Sequence, residues 1–173
     1  MKKALFVLMA LPVLLAVPVT PVAADESFSY ELNVGRDEVD VGGFTVTISG
    51  SEATFALLID DTATDWRLDE MHLYVGDTPP AKSAPGRFPY KHQDLGGTLL
   101  DEFVIDLSEI DLDGDEIVYV AAHARLVMQS GVDGADEPVY VYETTWAQGE
   151  YPIGKGANWA TYFELELDQG GEG

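Results

Sequence analysis

Apolar and polar residues alternate along nearly every hydrophobic segment of this chain, and this alternation restricts it to β-structure. The clearest segment is EIVYVAAHARLVMQ, whose alternate positions form one aliphatic face: Val118, Val120, Ala122, Ala124 and Leu126. About eight such segments occur, separated by turn signals every 8 to 15 residues or so, and none has a long amphipathic helical period. The pattern predicts one all-β domain, an antiparallel β-sandwich or jelly roll.

The first residues have the composition of a secretory signal peptide. A basic start is followed by an apolar stretch that two prolines interrupt, and then by small residues ending at Ala24. Segments of this type are cleaved rather than retained in the membrane. We expect a signal peptide at 1–24, a β-sandwich domain at 25–168 and a flexible tail at 169–173. The mature protein is then secreted to the extracellular space, the cell surface or the periplasm, without a membrane anchor.

The chain is strongly acidic. Without Lys2 and Lys3, seven of the nine basic residues remain against 31 acidic ones, which gives a formal charge of −24 before the termini are counted. Such a surface repels nucleic acid and anionic lipid, and this argues against both as partners. Two explanations for the acidity stay open: adaptation to a salt-rich habitat, where ions screen the repulsion, and weak binding of divalent cations.

The most acidic turn is a candidate calcium site. In DLSEIDLDGDE, acidic residues alternate around a glycine, as they do in loops that wrap one calcium ion: Asp111, Asp113, Asp115 and Glu116. The remaining ligand spacing of an EF-hand is missing. The alternative is a solvated acidic turn held by Asx-type contacts. Cysteine is absent, which excludes disulfides and thiolate ligands, and no organic cofactor is indicated.

The segment WRLDEMHLYV, residues 66–75, predicts a strand with an unusual polar face. Alternation places Met71, Leu73 and Val75 on one side, and the other side carries Trp66, Leu68, Glu70, His72 and Tyr74. The four prolines of DTPPAKSAPGRFPY cannot donate to an interior ladder. We therefore expect an ordered loop over an end or edge of the sheet, with Phe88 and Tyr90 beneath it.

A second candidate site gathers around this polar face. His123 lies on the non-aliphatic side of another strand, Glu143 of YETTWA is a candidate from a third, and His92 could join from the loop, beside Glu70 and His72. Histidines and carboxylates from several strands bind zinc or another transition metal. The alternatives are a hydrogen-bonded layer in which a carboxylate orients a histidine without metal, and a ligand pocket.

Five segments together resemble a domain that recurs in secreted and surface proteins of bacteria and archaea: WRLDEMHLYVG, APGRFPYKH, YVAAHA, ETTWA and NWATYF. The likeness covers roughly residues 54–167. It implies an extracellular β-domain and assigns no catalytic residues. The shared segments do contain the residues of the polar layer.

The motifs of nucleophilic and zinc hydrolases, G-x-S-x-G and H-E-x-x-H, are absent. We therefore expect a non-enzymatic extracellular module with a structural or interaction role, stabilised by calcium, that assembles with itself or with other surface proteins. The alternative is a metal-dependent or carbohydrate-active enzyme, or a sugar-binding module, that uses the His/Glu layer. Aromatic residues stack on sugar rings when they are exposed, although at strand spacing they more often belong to the core.

Overall fold

A computed structural model of the chain describes residues 25–35, 39–112, 116–154 and 159–167. These residues contain ten strands: β1 (Glu26–Val34), β2 (Val39–Ser49), β3 (Glu52–Ile59), β4 (Arg67–Gly76), β5 (Tyr90–His92), β6 (Leu100–Asp106), β7 (Ile117–Val132), β8 (Pro138–Ala147), β9 (Tyr151–Pro152) and β10 (Thr161–Glu166). Two short 3-10 turns cover Pro85–Arg87 and Leu107–Glu109. The predicted signal peptide and tail lie outside the described residues. None of the described segments is a helix long and apolar enough to cross a bilayer.

The strands form one antiparallel sheet in the order β5-β4-β7-β8-β1-β2-β3-β6, and β10 pairs with the first part of β7. The sheet curls until its ends approach each other, and the Leu68 amide donates to the Thr98 carbonyl at 2.8 Å. At the same seam the His92 ring of β5 stacks on Phe103 of β6, with the ring centroids 4.1 Å apart. The predicted antiparallel all-β domain is confirmed, and its shape is close to a barrel.

One core fills the inside of this curved sheet. The predicted aliphatic face of β7 is confirmed, because all five of its side chains are fully buried: Val118, Val120, Ala122, Ala124 and Leu126. Phe44, Phe55 and Phe163 supply most of the aromatic volume, and Tyr30 stacks on Phe163 at 3.7 Å between centroids. Each large side chain buried in this way stabilises the fold by about 1.5–3 kcal/mol. This burial stabilises a chain that has no cysteine and therefore no disulfides.

The predicted faces of the Trp66 segment are wrong in part. The ladder between β4 and β7 shifts between Leu68 and Glu70, so that Asp69 is an extra residue in β4. Leu68 is therefore fully buried in the core and Trp66 packs against it, while Glu70 and the residues after it keep the predicted alternation. A bulge reverses the side-chain phase, and strict alternation cannot foresee it.

The proline loop covers the outer face of the sheet rather than only an end or edge, and of the two aromatic residues expected beneath it, Phe88 is the one that packs there. Phe88 is 4% exposed and belongs to a second apolar cluster with Ala121, Trp146, Ile153 and Ala160. Tyr90 is half-buried and packs against the main core. The central strands β4 and β7 are thus covered on both faces.

The β1–β2 ladder passes over Val41, which forms a bulge in β2 beside Gly42. Gly42 has φ +153, and a Cβ there would lie 2.0 Å from the Leu58 carbonyl oxygen. We expect Gly42→Ala to lower the free energy of unfolding by about 3 kcal/mol, since the strain and the clash both fall on backbone. Denaturant titration measures this loss.

Gly43→Ala is the matched control, because a Cβ at Gly43 would meet only the Tyr30 carbonyl oxygen, at 3.8 Å. Its cost should stay below about 1 kcal/mol. Equal losses in the two variants would contradict the close approach of β2 and β3 at Gly42.

Candidate functional site: a buried histidine pair and the groove beside it

Two histidines lie side by side on the outer face of the sheet. His72 of β4 is directly opposite His123 of β7, which in turn is opposite Trp146 of β8. The two Nδ1 atoms are 3.4 Å apart. His72 is 5% exposed and His123 8%, so the pair is buried on a face that would be solvent-exposed in an uncovered sheet.

Aromatic rings of the second apolar cluster cover the histidine pair. Trp146 meets His123 edge-on with 4.8 Å between ring centroids, and Phe88 meets Trp146 at 6.0 Å. Tyr74 packs against Phe88 at 5.7 Å. The proline loop that carries Phe88 therefore encloses the imidazoles in a largely apolar compartment.

Charged groups border one side of this compartment. The bulge in β4 places Asp69 and Glu70 together opposite Arg125, whose Nη2 lies 2.5 Å from Asp69 Oδ2 and 2.7 Å from Glu70 Oε1. The other Glu70 oxygen is 3.6 Å from His72 Nε2. Lys91, opposite His72 in β5, donates to the Gly86 carbonyl at 2.9 Å. A continuous polar row thus runs from Asp69 to the histidines.

Burial keeps both histidines neutral at pH 7. It lowers the pKa of His123 from 6.5 to about 3, and the neighbouring His72 adds to this effect. The pKa of His72 is also lowered by burial, against the opposing field of Glu70 and with a further contribution from Lys91 and Arg125. A neutral pair can share one hydrogen bond in which one Nδ1 donates and the other accepts.

The histidine pair has part of the geometry of a metal site. Two imidazole nitrogens bound to one tetrahedral zinc ion at about 2.0–2.1 Å would lie roughly 3.4 Å apart. Zinc requires further ligands, however, and the described residues contain no group of three or more His, Asp or Glu arranged to hold a metal ion. The contacts fit the hydrogen-bonded layer better, and the transition-metal site stays a prediction.

The structure does not bring His92 and Glu143 into this layer. His92 lies at the barrel seam, where its Nδ1 is 2.9 Å from Asp101. Glu143 is exposed and opposite Leu126, and therefore projects from the face opposite to that of His123 and Trp146. The cause is the alternation of side chains along a strand. Glu143 and Trp146 are three positions apart, and side chains an odd number of positions apart project from opposite faces of the sheet.

The predicted calcium turn is only partly described. Asp113 and Asp115 lie outside the described residues, whereas Asp111 and Glu116 are both exposed. Glu116 has φ +54, a conformation that non-glycine residues adopt mainly in tight turns. Calcium at this turn stays a prediction.

Sequence reasoning missed a projecting hairpin that we call the arm, residues 128–144. β4 pairs with β7 only as far as Val127, and β1 pairs with β8 only from Thr145, so both strands of the arm extend past their neighbours. Its exposed apolar side chains are Val132, Val139, Tyr140, Val141 and Tyr142. The available signal was the length of EIVYVAAHARLVMQ, which exceeds that of WRLDEMHLYV, its neighbour in the sheet.

A groove of about 820 Å³ lies at the base of the arm. Tyr140, Tyr142 and Gln129 line it from the arm, and Asp65, Arg67 and Asp69 line it from the start of β4. Asp69 also binds Arg125, so the groove adjoins the polar row that leads to the histidines. Like the arm, this groove could not be predicted from the alternation of apolar and polar residues.

Comparison with known proteins found no family model, no curated protein and no solved structure that matches this chain. The resemblance to a recurrent surface domain therefore stays a prediction, and the function rests on the geometry described above.

The histidine pair makes stability depend on pH. Below about pH 6.5 the unfolded chain takes up a proton at His123 that the folded chain binds only near pH 3, so the free energy of unfolding should fall as the pH drops between these values. The slope for one such group approaches about 1.4 kcal/mol per pH unit. Denaturant unfolding at pH 8, 6 and 5 measures it.

His123→Leu should reduce this slope, because the buried titrating group is removed. His92→Gln is the matched control and should retain it, since His92 lies at the seam, apart from the pair. A slope that is unchanged in His123→Leu would rule out His123 as its source.

Proposed function

We propose that this protein is a secreted, non-catalytic module that joins copies of itself through the arm, at the cell surface or in an extracellular matrix or filament. The observation that carries the proposal is the arm itself, which presents apolar side chains and two strand edges that pair with no other strand among the described residues. Both features favour association between sheets, because exposed edges accept a further strand and exposed apolar patches gain free energy when they are covered.

One edge of the arm belongs to β7 and the other to β8. Residues 128–132 of β7 extend past β4, and residues 138–144 of β8 extend past β1. Together they form a two-stranded ribbon about 17 Å long. Such a ribbon is only marginally stable by itself, so pairing with a second arm would satisfy backbone groups that otherwise bond to water.

One face of the arm suits a contact between copies. Val139 and Val141 project from the same side of β8, are 41% and 37% exposed, and continue the direction of the main core beyond the end of the barrel. Contiguous apolar side chains on a surface often mark a contact with another protein when the patch is large. An arm from a second copy would bury them.

Charge sets the condition under which copies associate. The formal charge of −22 for the full sequence means that two copies repel each other at low ionic strength. The Debye length falls from about 10 Å at 0.1 M salt to about 3 Å at 1 M, which removes most of this repulsion. The proposal therefore includes a salt requirement, which would fit adaptation to a salt-rich habitat, one of the two explanations for the acidity.

A catalytic role for the His/Glu layer receives less support from the geometry. Trp146 packs on His123 and Phe88 packs on Trp146, and both imidazoles are buried and neutral. A catalytic base or metal ligand must reach its substrate. The layer is better suited to fixing the register of β4, β7 and β8.

We expect the chain from residue 25 onwards to associate reversibly in about 1 M NaCl and to be mainly monomeric at about 0.05 M. Val139→Ser combined with Val141→Ser should prevent the association in high salt, because it removes the apolar face while leaving the barrel intact. Sedimentation velocity over a range of protein concentrations measures this.

The matched control is Val104→Ser on β6, a valine that is 55% exposed and far from the arm in the strand order. This variant should associate like the unmodified protein. A chain that stays monomeric in all salt concentrations, or one in which Val104→Ser is as disruptive as the arm variant, would contradict assembly through the arm.

Calcium at the acidic turn is a separate proposal with its own test. Micromolar calcium should raise the melting temperature of a chelator-treated sample, since an ion that binds only the folded state stabilises it. Asp111→Asn should reduce the shift, and Asp136→Asn, in the turn of the arm, should leave it unchanged. If the melting temperature rises only in molar salt, the acidity is an adaptation to a salt-rich habitat and the calcium proposal is wrong.

A further inference from the structure

We propose that the groove at the base of the arm is a binding site for a neutral carbohydrate chain. The site goes beyond the assembly described above and is separate from it, because it uses the face of β8 that carries Tyr140 and Tyr142 rather than the face that carries Val139 and Val141. A single strand thus serves two contacts on opposite sides.

The arm supplies an aromatic platform. Tyr140 and Tyr142 project from the same face of β8, about 7 Å apart, and are 51% and 56% exposed. A tyrosine ring offers an apolar face to the C–H groups of a sugar ring and a hydroxyl to its oxygens. Two such rings in a row match an extended chain of sugars better than a single compact ligand.

One of these rings is held in place although it is exposed. The Arg125 guanidinium lies 5.5 Å from the centroid of the Tyr142 ring, and Asp69 and Glu70 anchor that guanidinium in turn. An anchored ring loses little conformational entropy when a ligand stacks on it. The same ion pairs that border the histidine layer therefore orient the platform.

The opposite wall of the groove supplies hydrogen-bonding groups of both kinds. Asp65 and Asp69 offer carboxylate acceptors, Arg67 offers donors and Gln129 offers both. Sugar hydroxyls donate and accept at once, so a mixed set of this type can satisfy them. Gly96 and Gly97 complete the wall without side chains, which keeps the groove of about 820 Å³ open for a chain.

Charge selects the class of ligand. The carboxylates of the groove and the overall negative charge repel acidic polysaccharides, and Arg67 and Arg125, two of only nine basic residues in the chain, limit attraction for a purely cationic ligand. A neutral glycan meets neither penalty. The competing occupant is an extended peptide added to the edge of β8, which would depend on backbone pairing rather than on the tyrosine rings.

The test is isothermal titration of the chain from residue 25 onwards, in low salt where the arms stay apart, with cellohexaose, laminarihexaose, xylohexaose and mannohexaose. Polygalacturonate is the acidic comparison. At least one neutral oligosaccharide should bind, and Tyr140→Ala and Tyr142→Ala should each weaken binding about tenfold or more. Tyr142→Phe keeps the ring and should retain binding within about threefold.

Val139→Ser on the opposite face should bind the oligosaccharide like the unmodified chain, and melting temperatures confirm that each variant is folded. The proposal is overturned if no neutral oligosaccharide binds, if polygalacturonate binds as well as they do, or if the tyrosine variants bind unchanged. Loss of salt-dependent association in the Val139/Val141 variant with intact glycan binding would separate this site from the assembly function.

Discussion

The ladder between β4 and β7, with its bulge at Asp69, is the constraint on which the other features of this molecule depend. The extra residue turns Leu68 into the core and leaves Glu70 and His72 on the outer face. It also places two neighbouring carboxylates opposite Arg125. Without the bulge, Leu68 and Glu70 would project from the same face of β4. Either Leu68 would then lie in the polar row or Glu70 would lie in the core, and burying an unpaired carboxylate is costly.

The register of this ladder also creates a buried polar layer on a face where a barrel normally meets solvent. His72 is opposite His123, Trp146 packs on His123, and Phe88 packs on Trp146. Burial favours the neutral form of both rings, and two positive charges 3.4 Å apart would repel each other strongly. A layer of this kind specifies one pairing of the strands, since a shift of one strand by one residue would turn its imidazole to the core side and break the pair.

β7 links this layer to the regions where we locate function. Its first part lies in the core, its middle carries His123 and Arg125, and its last part becomes one strand of the arm. Arg125 connects the parts physically, because it contacts Asp69 and Glu70 at the layer and the Tyr142 ring at the groove. Alternation then gives the arm two chemically different faces, with valines on one and tyrosines on the other, so the proposed self-association and the proposed glycan binding use opposite sides of one hairpin.

The sequence by itself determined the fold class, the aliphatic face of β7 and the shared face of Glu70 and His72, because alternation is a local property that depends only on backbone geometry. Glu143 was nevertheless expected beside the histidines, although alternation places it on the face opposite to Trp146. Only the tertiary structure decided that His92 closes the seam with Asp101, that Asp69 forms a bulge and that the arm extends past its neighbours. These depend on which strands pair and where each pairing stops, and such non-local choices leave no periodic trace in a single segment.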